Sequence, residues 1–97
     1  MRDLLDIRKD IDRIDRKIVR LFEERMHCSE EVAEYKKGTG KPIYDREREQ
    51  QKIEALTGEV GPEFLKKGTE ELFLQLMSIG RRYQYSCLLY TSPSPRD

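Results

Sequence analysis

The sequence predicts an all-α fold: a three-helix chain with one long N-terminal helix that pairs with a second copy of itself. Three observations carry this reading. No proline or glycine falls between Asp3 and Lys37. The apolar residues of that stretch recur in steps of three and four. Two clusters of turn residues, KGTGKP and TGEVGP, divide the 97 residues into three parts.

In the first part Leu4, Ile7, Ile11, Ile14, Ile18, Leu21, Cys28 and Val32 follow the a and d positions of a heptad, so one amphipathic helix is expected from Asp3 to Lys37. At about 1.5 Å per residue it would be on the order of 50 Å long, whereas a compact domain of this length has a radius of gyration of about 12–13 Å. A helix that long cannot have its whole seam covered by its own chain. An exposed apolar seam calls for a partner, and an identical copy related by two-fold symmetry is the simplest one, which predicts an intertwined homodimer. Lys36 and Lys37 suit the negative end of the helix dipole, Gly38 and Gly40 end the helix, and Pro42 prevents its continuation.

Asp45 reads as the N-cap of a second, shorter helix running to about Leu56. After the loop from Thr57 to Gly61, Pro62 fits the first turn of a third helix. Its apolar side carries Leu65, Leu72, Phe73, Leu76, Met77, Gly80 and Tyr83, and it is expected to run to about Tyr85. The last residues, TSPSPRD, are aperiodic and rich in proline and serine, which predicts disorder; they resemble a cloning scar more than a natural terminus. The expected organisation is therefore one domain over 1–87 and a tail over 88–97.

Composition narrows the function. Lys plus Arg equals Asp plus Glu at 19 each, so no global field attracts nucleic acid or an anionic membrane, and any electrostatic function must be local. The charged start MRDLLDIRKD is no secretory segment, and the longest nearly apolar run, LFLQLM, is far too short to span a bilayer. A soluble, cytoplasmic protein is expected. Cys28, Cys87 and the single His27 make neither a zinc pattern nor a disulfide framework, so no metal or other cofactor is expected and both cysteines read as packing or surface thiols.

The heptad pattern places Arg25 at the a position after Leu21 and Ile18, where a guanidinium is costly unless something negative meets it. Lys36, eleven residues on, is rotated by only about 20° and displaced by about 16 Å along the axis, so the two cations share a face. Arg8 lies about 25 Å from Arg25 in the other direction and about 100° around the helix; only from a second, antiparallel chain would it approach the same place. On the second helix Asp45, Arg48 and Glu49 share a face while Arg46 and Glu47 point elsewhere. On the third, Gln84 continues the stripe Phe73, Met77, Gly80. The plainer alternative is an N-cap and solvated ion pairs worth at most about 1 kcal/mol each. Taken together, the inward polar groups form a cationic pocket with one carboxylate and one amide, suited to a small dianion carrying a hydroxyl and an ether-like oxygen.

At these residues the chain resembles the all-helical, AroQ-type chorismate mutases, through LLDIRKDIDRIDRKIVRLFEER (4–25), VAEYK (32–36), PIYDREREQ (42–50) and LFLQLMSIGRRYQ (72–84). The similarity covers about residues 4–86. It implies an intertwined dimer with two sites, each completed by the partner's Arg8, and rearrangement of chorismate to prephenate on the route to phenylalanine and tyrosine. By position, Arg25 would be the main carboxylate clamp and Lys36 and Gln84 the donors to the ether oxygen. Glu49 would bind the ring hydroxyl, with Asp45 and Arg48 shaping the pocket. One departure is Gly80, where the family often has a serine that helps bind a substrate carboxylate; glycine also costs a helix about 1 kcal/mol relative to alanine.

Three other readings compete. An isochorismate pyruvate lyase shares the fold, although Glu49 and the complete PIYDREREQ stretch favour the mutase. The chain resembles equally the N-terminal mutase half of a fusion with prephenate dehydratase. A non-catalytic helical dimerisation domain would bind no small dianion and would tolerate Arg25→Leu.

Overall fold

The computed structural model describes residues 2–91, with side chains through Cys87. Among these residues there are three helices and no strand: α1 over Leu4–Thr39, α2 over Arg46–Thr57 and α3 over Glu63–Thr91. No helix among them is long and apolar enough to cross a membrane.

Helix α1 passes through Gly38 and stops at Gly40, whose φ of 73° is the left-handed conformation that ends helices, with its N–H donating to the Lys36 carbonyl at 2.8 Å. Helix α2 begins as expected, the Asp45 carboxylate accepting from the Arg48 N–H at 3.1 Å. Pro62 stands one place ahead of the expected position, outside α3, and its carbonyl accepts from the Lys66 N–H. The far end of α3 differs more. The helical backbone continues past Tyr85 to Thr91, because nothing between Ser86 and Thr91 breaks a helix and the first residue that does is Pro93. The expected end of the third helix at about Tyr85 is therefore corrected to Thr91; residues 92–97 of the expected tail lie outside the described residues.

Helix α3 is the centre of the chain, packed on one side against the C-terminal half of α1 and on the other against α2. Contacts pair Arg25 with Leu76 and Glu30 with Tyr83, so α1 and α3 run parallel; the Tyr83 hydroxyl donates to Glu30 Oε2 at 2.8 Å. The core is thin, made of Met26 and Ala33 from α1, Ile43 from the connecting loop, Ile53 from α2 and Met77 from α3, with no large side chain fully enclosed among the described residues.

The face that α1 offers to α3 is not its heptad seam. Met26, Ser29 and Ala33 are buried, and these positions lie on the flank beside the a and d residues. Further back the two helices part. Leu4, Ile11, Ile14, Ile18 and Leu21 are each 45–61% exposed, and on α3 Leu65 and Leu72 are exposed as well. The apolar side expected for α3 is thus inward only from Phe73 onward. The result is an elongated chain of 61 × 31 × 18 Å with a radius of gyration of 17.5 Å, well above the about 12–13 Å of a compact domain this size.

Candidate active site

A cleft of about 260 Å³ opens where the upper half of α1, the loop before α2, α2 itself and α3 converge. That is slightly below the roughly 300 Å³ at which pockets for drug-sized ligands begin, which suits a small metabolite. Arg25, Lys36, Asp45, Arg48, Glu49, Gly80 and Gln84, the same-chain residues picked out by helical spacing, all line it. Arg8 does not: it is exposed on the free half of α1.

Each side chain is placed by local structure. Arg25 is half-buried at the crossing of α1 and α3, where Nη1 donates to the Leu76 carbonyl at 3.4 Å. Lys36 Nζ donates to the Ile43 carbonyl at 2.8 Å, which ties the last turn of α1 to the loop and leaves two ammonium protons for a ligand. Asp45 spends one carboxylate oxygen on its N-cap bond. Glu49 forms an ion pair with Arg81 of α3, and the Arg81 guanidinium also lies over the Tyr44 ring, 4.5 Å from its centroid. Gln84 encloses its amide oxygen with no hydrogen-bond partner; the amide nitrogen, a donor, is the less enclosed end.

Three further residues line the cleft that sequence reasoning passed over: Ser29, Lys52 and Arg81. The available signal was helical spacing, since Ser29 is four residues after Arg25, Lys52 four after Arg48, and Arg81 three before Gln84. With them the wall carries five cations, Arg25, Lys36, Arg48, Lys52 and Arg81, against the two carboxylates of Asp45 and Glu49. A chain of zero net charge concentrates a surplus of three positive charges in one place. Burial first, and then the Arg25 and Arg48 guanidiniums, lower the Lys52 pKa below its ordinary 10.5. The cleft is an anion site.

The cleft also holds the exposed thiol of Cys28. His27 is exposed and outside the cleft. Cys87 is half-buried, with its thiol pKa raised by burial and then by Glu30 and Glu34, which makes it a poor nucleophile. Among the described residues no group of three or more His, Cys, Asp or Glu side chains is placed to hold a metal ion.

The sequence model of the family described as "Chorismate mutase type II" matches residues 7–85, which includes every cleft residue named above. The chain belongs to the type II chorismate mutase family. Among curated relatives, a chorismate mutase of Methanocaldococcus jannaschii is 52% identical over 46 residues, 47% of this chain and 46% of that protein. A bifunctional chorismate mutase/prephenate dehydratase of Aquifex aeolicus is 39% identical over 56 residues, 58% of this chain and 16% of that protein. The chain thus spans less than half the length of each of these two relatives. No solved structure matches it significantly. Gly80 forms part of the cleft wall, where a Cβ would stand 3.3 Å from Ser29 Oγ and 3.4 Å from Arg25 Nη1.

Proposed function

We propose that two copies of this chain form a chorismate mutase that converts chorismate to prephenate. The observation that carries the reading is the convergence in one cationic cleft of Arg25, Lys36, Gln84 and Glu49. Chorismate is a dianion with a ring hydroxyl and an enolpyruvyl ether, and its rearrangement breaks the ether C–O bond as a C–C bond forms elsewhere in the same molecule. The reaction needs neither a nucleophile nor a proton transfer. It needs the flexible side chain held over the ring, which the charged wall does by fixing the two carboxylates, and it needs donors where negative charge grows on the ether oxygen.

Arg25 is the main clamp on a carboxylate. Lys36 and the Gln84 amide nitrogen donate to the ether oxygen, Lys36 being already aimed by its bond to Ile43. Glu49 accepts the ring hydroxyl, while Asp45 and Arg48 shape the wall beneath it. The second chain covers the bare seam of Leu4, Ile11, Ile14, Ile18 and Leu21 and brings its own Arg8 to the open side of the cleft. The product is a precursor of phenylalanine and tyrosine. Incubating the purified protein with chorismate and, separately, with isochorismate and identifying the products tests the reading: prephenate from chorismate supports it, pyruvate with an aromatic hydroxy acid from isochorismate supports the lyase, and no turnover of either by folded protein refutes both.

A further inference from the structure

Ser29 is the one buried polar side chain among the described residues, 8% exposed. The residue is buried but its Oγ is not enclosed, so the hydroxyl keeps access to the cleft; a serine within a helix commonly turns instead to the carbonyl four residues back. Ser29 has no such bond to the Arg25 carbonyl, nor any other hydrogen bond among the described residues. It lines the cleft one helical turn from Arg25. Its Oγ and Arg25 Nη1 converge on Gly80, each within 3.4 Å of where a Cβ would sit. The two donors are therefore no more than about 7 Å apart, and Gly80 makes room for them by having no side chain.

We infer that Ser29 is a substrate-binding residue, its hydroxyl donating to the carboxylate that Arg25 holds; the inference rests on the chorismate mutase reading and extends it. The arrangement places a neutral donor on α1, beside Gly80 of α3. An arginine and a serine hydroxyl together satisfy more of a carboxylate's lone pairs than the guanidinium alone, one of whose N–H groups already donates to the Leu76 carbonyl. Such a bond exists in the ground state and the transition state alike, so its loss shows in KM more than in kcat.

The experiment is steady-state kinetics with chorismate on the parent, Ser29→Ala, and Ser29→Ala combined with Gly80→Ser, with thermal melts of all three. The expected result is a KM raised about tenfold in Ser29→Ala, in line with a lost hydrogen bond to a charged group, with kcat changed less than about twofold and an unchanged melt. In the double variant a hydroxyl returns from the α3 side, where alanine at 29 leaves space for it, and KM recovers most of the way. A merely structural serine at a helix crossing predicts a shifted melt without the selective rise in KM. If the parent turns over chorismate and Ser29→Ala matches its KM, the inference is overturned and the mutase reading stands. If the folded parent shows no turnover, the mutase reading fails and the role of Ser29 falls with it.

Discussion

Arg81 of α3 and Glu49 of α2 form a partly buried ion pair on the wall of the cleft, their side chains 27% and 21% exposed. The pair couples the two helices and sets which way the Glu49 carboxylate faces. Tyr44, under the guanidinium, holds Arg81 in place.

Removing Arg81 should therefore disturb Glu49 without touching it. Arg81→Met is expected to lower kcat/KM for chorismate about tenfold, by freeing the carboxylate to rotate and withdrawing one cation from the cleft. Because the two residues act as a unit, Arg81→Met combined with Glu49→Gln should be little worse than Glu49→Gln alone. Strictly multiplicative losses in the double variant would show that the two act independently.

Lys36 and Gln84 are the two groups assigned to the ether oxygen. Lys36→Ala should lower kcat by about 10²-fold or more, the usual cost of deleting a donor to developing negative charge. It should also loosen the loop, since the bond to the Ile43 carbonyl is lost; limited proteolysis between Gly40 and Asp45 would report that separately. Gln84 is uncharged at every working pH, so activity is expected to be nearly flat from mildly acidic to neutral pH. Gln84→Glu should become active only where the new carboxyl is protonated, giving a rise in kcat/KM as pH falls.

The alkaline side is set in part by Lys52. Its folded-state pKa lies below 10.5, through burial first and then through Arg25 and Arg48. A bound dianion favours the protonated form and raises that pKa, so by linkage affinity is full below the free-state pKa and is lost as pH rises through it. KM should begin to climb at a pH below lysine's ordinary 10.5. Lys52→Arg keeps the charge at all accessible pH values and should move that climb upward; an identical profile in parent and variant would exclude Lys52 from binding.

What was legible in the sequence and what was not divides along a physical line. The long α1, the Asp45 cap and the break at Gly40 depend on residues close together in the chain, and local chemistry decides them. The faces of Arg25, Lys36, Arg48, Glu49 and Gln84 followed from helical spacing once the helices were known. Ser29, Lys52 and Arg81 share those faces but were passed over, because their inclusion depends on how α3 rotates against α1 and α2. The heptad marks a seam for a partner chain and says nothing of where α3 sits: α3 packs on the flank of Met26, Ser29 and Ala33 and leaves the a and d residues to the cleft and to the open seam. The end of α3 was placed too early because the proline-rich tail was allowed to discount the helix-compatible residues before it.

The bare half of α1 is the feature that the single chain leaves without a physical reason, and a second copy supplies one. Ile11, Ile14 and Ile18 are already about half covered in the single chain, so burying the rest should give roughly 1 kcal/mol each, and Ile14→Glu is expected to shift sedimentation from dimer toward monomer and to abolish turnover. Subunit mixing separates assembly from shared chemistry. In the proposed antiparallel dimer each site would take Arg25 from one chain and Arg8 from the other, so Arg8→Ala and Arg25→Ala should each be inactive at both sites. Unfolded together and refolded in equal amounts, half of the dimers should be hybrids, and each hybrid has one site with both arginines and one with neither. The mixture should recover roughly a quarter of the parent activity, while either variant refolded alone recovers almost none. Recovery near zero in a mixture shown to contain hybrids would mean that Arg8 acts in its own chain, whereas full activity of Arg8→Ala alone would mean that it does not act at all.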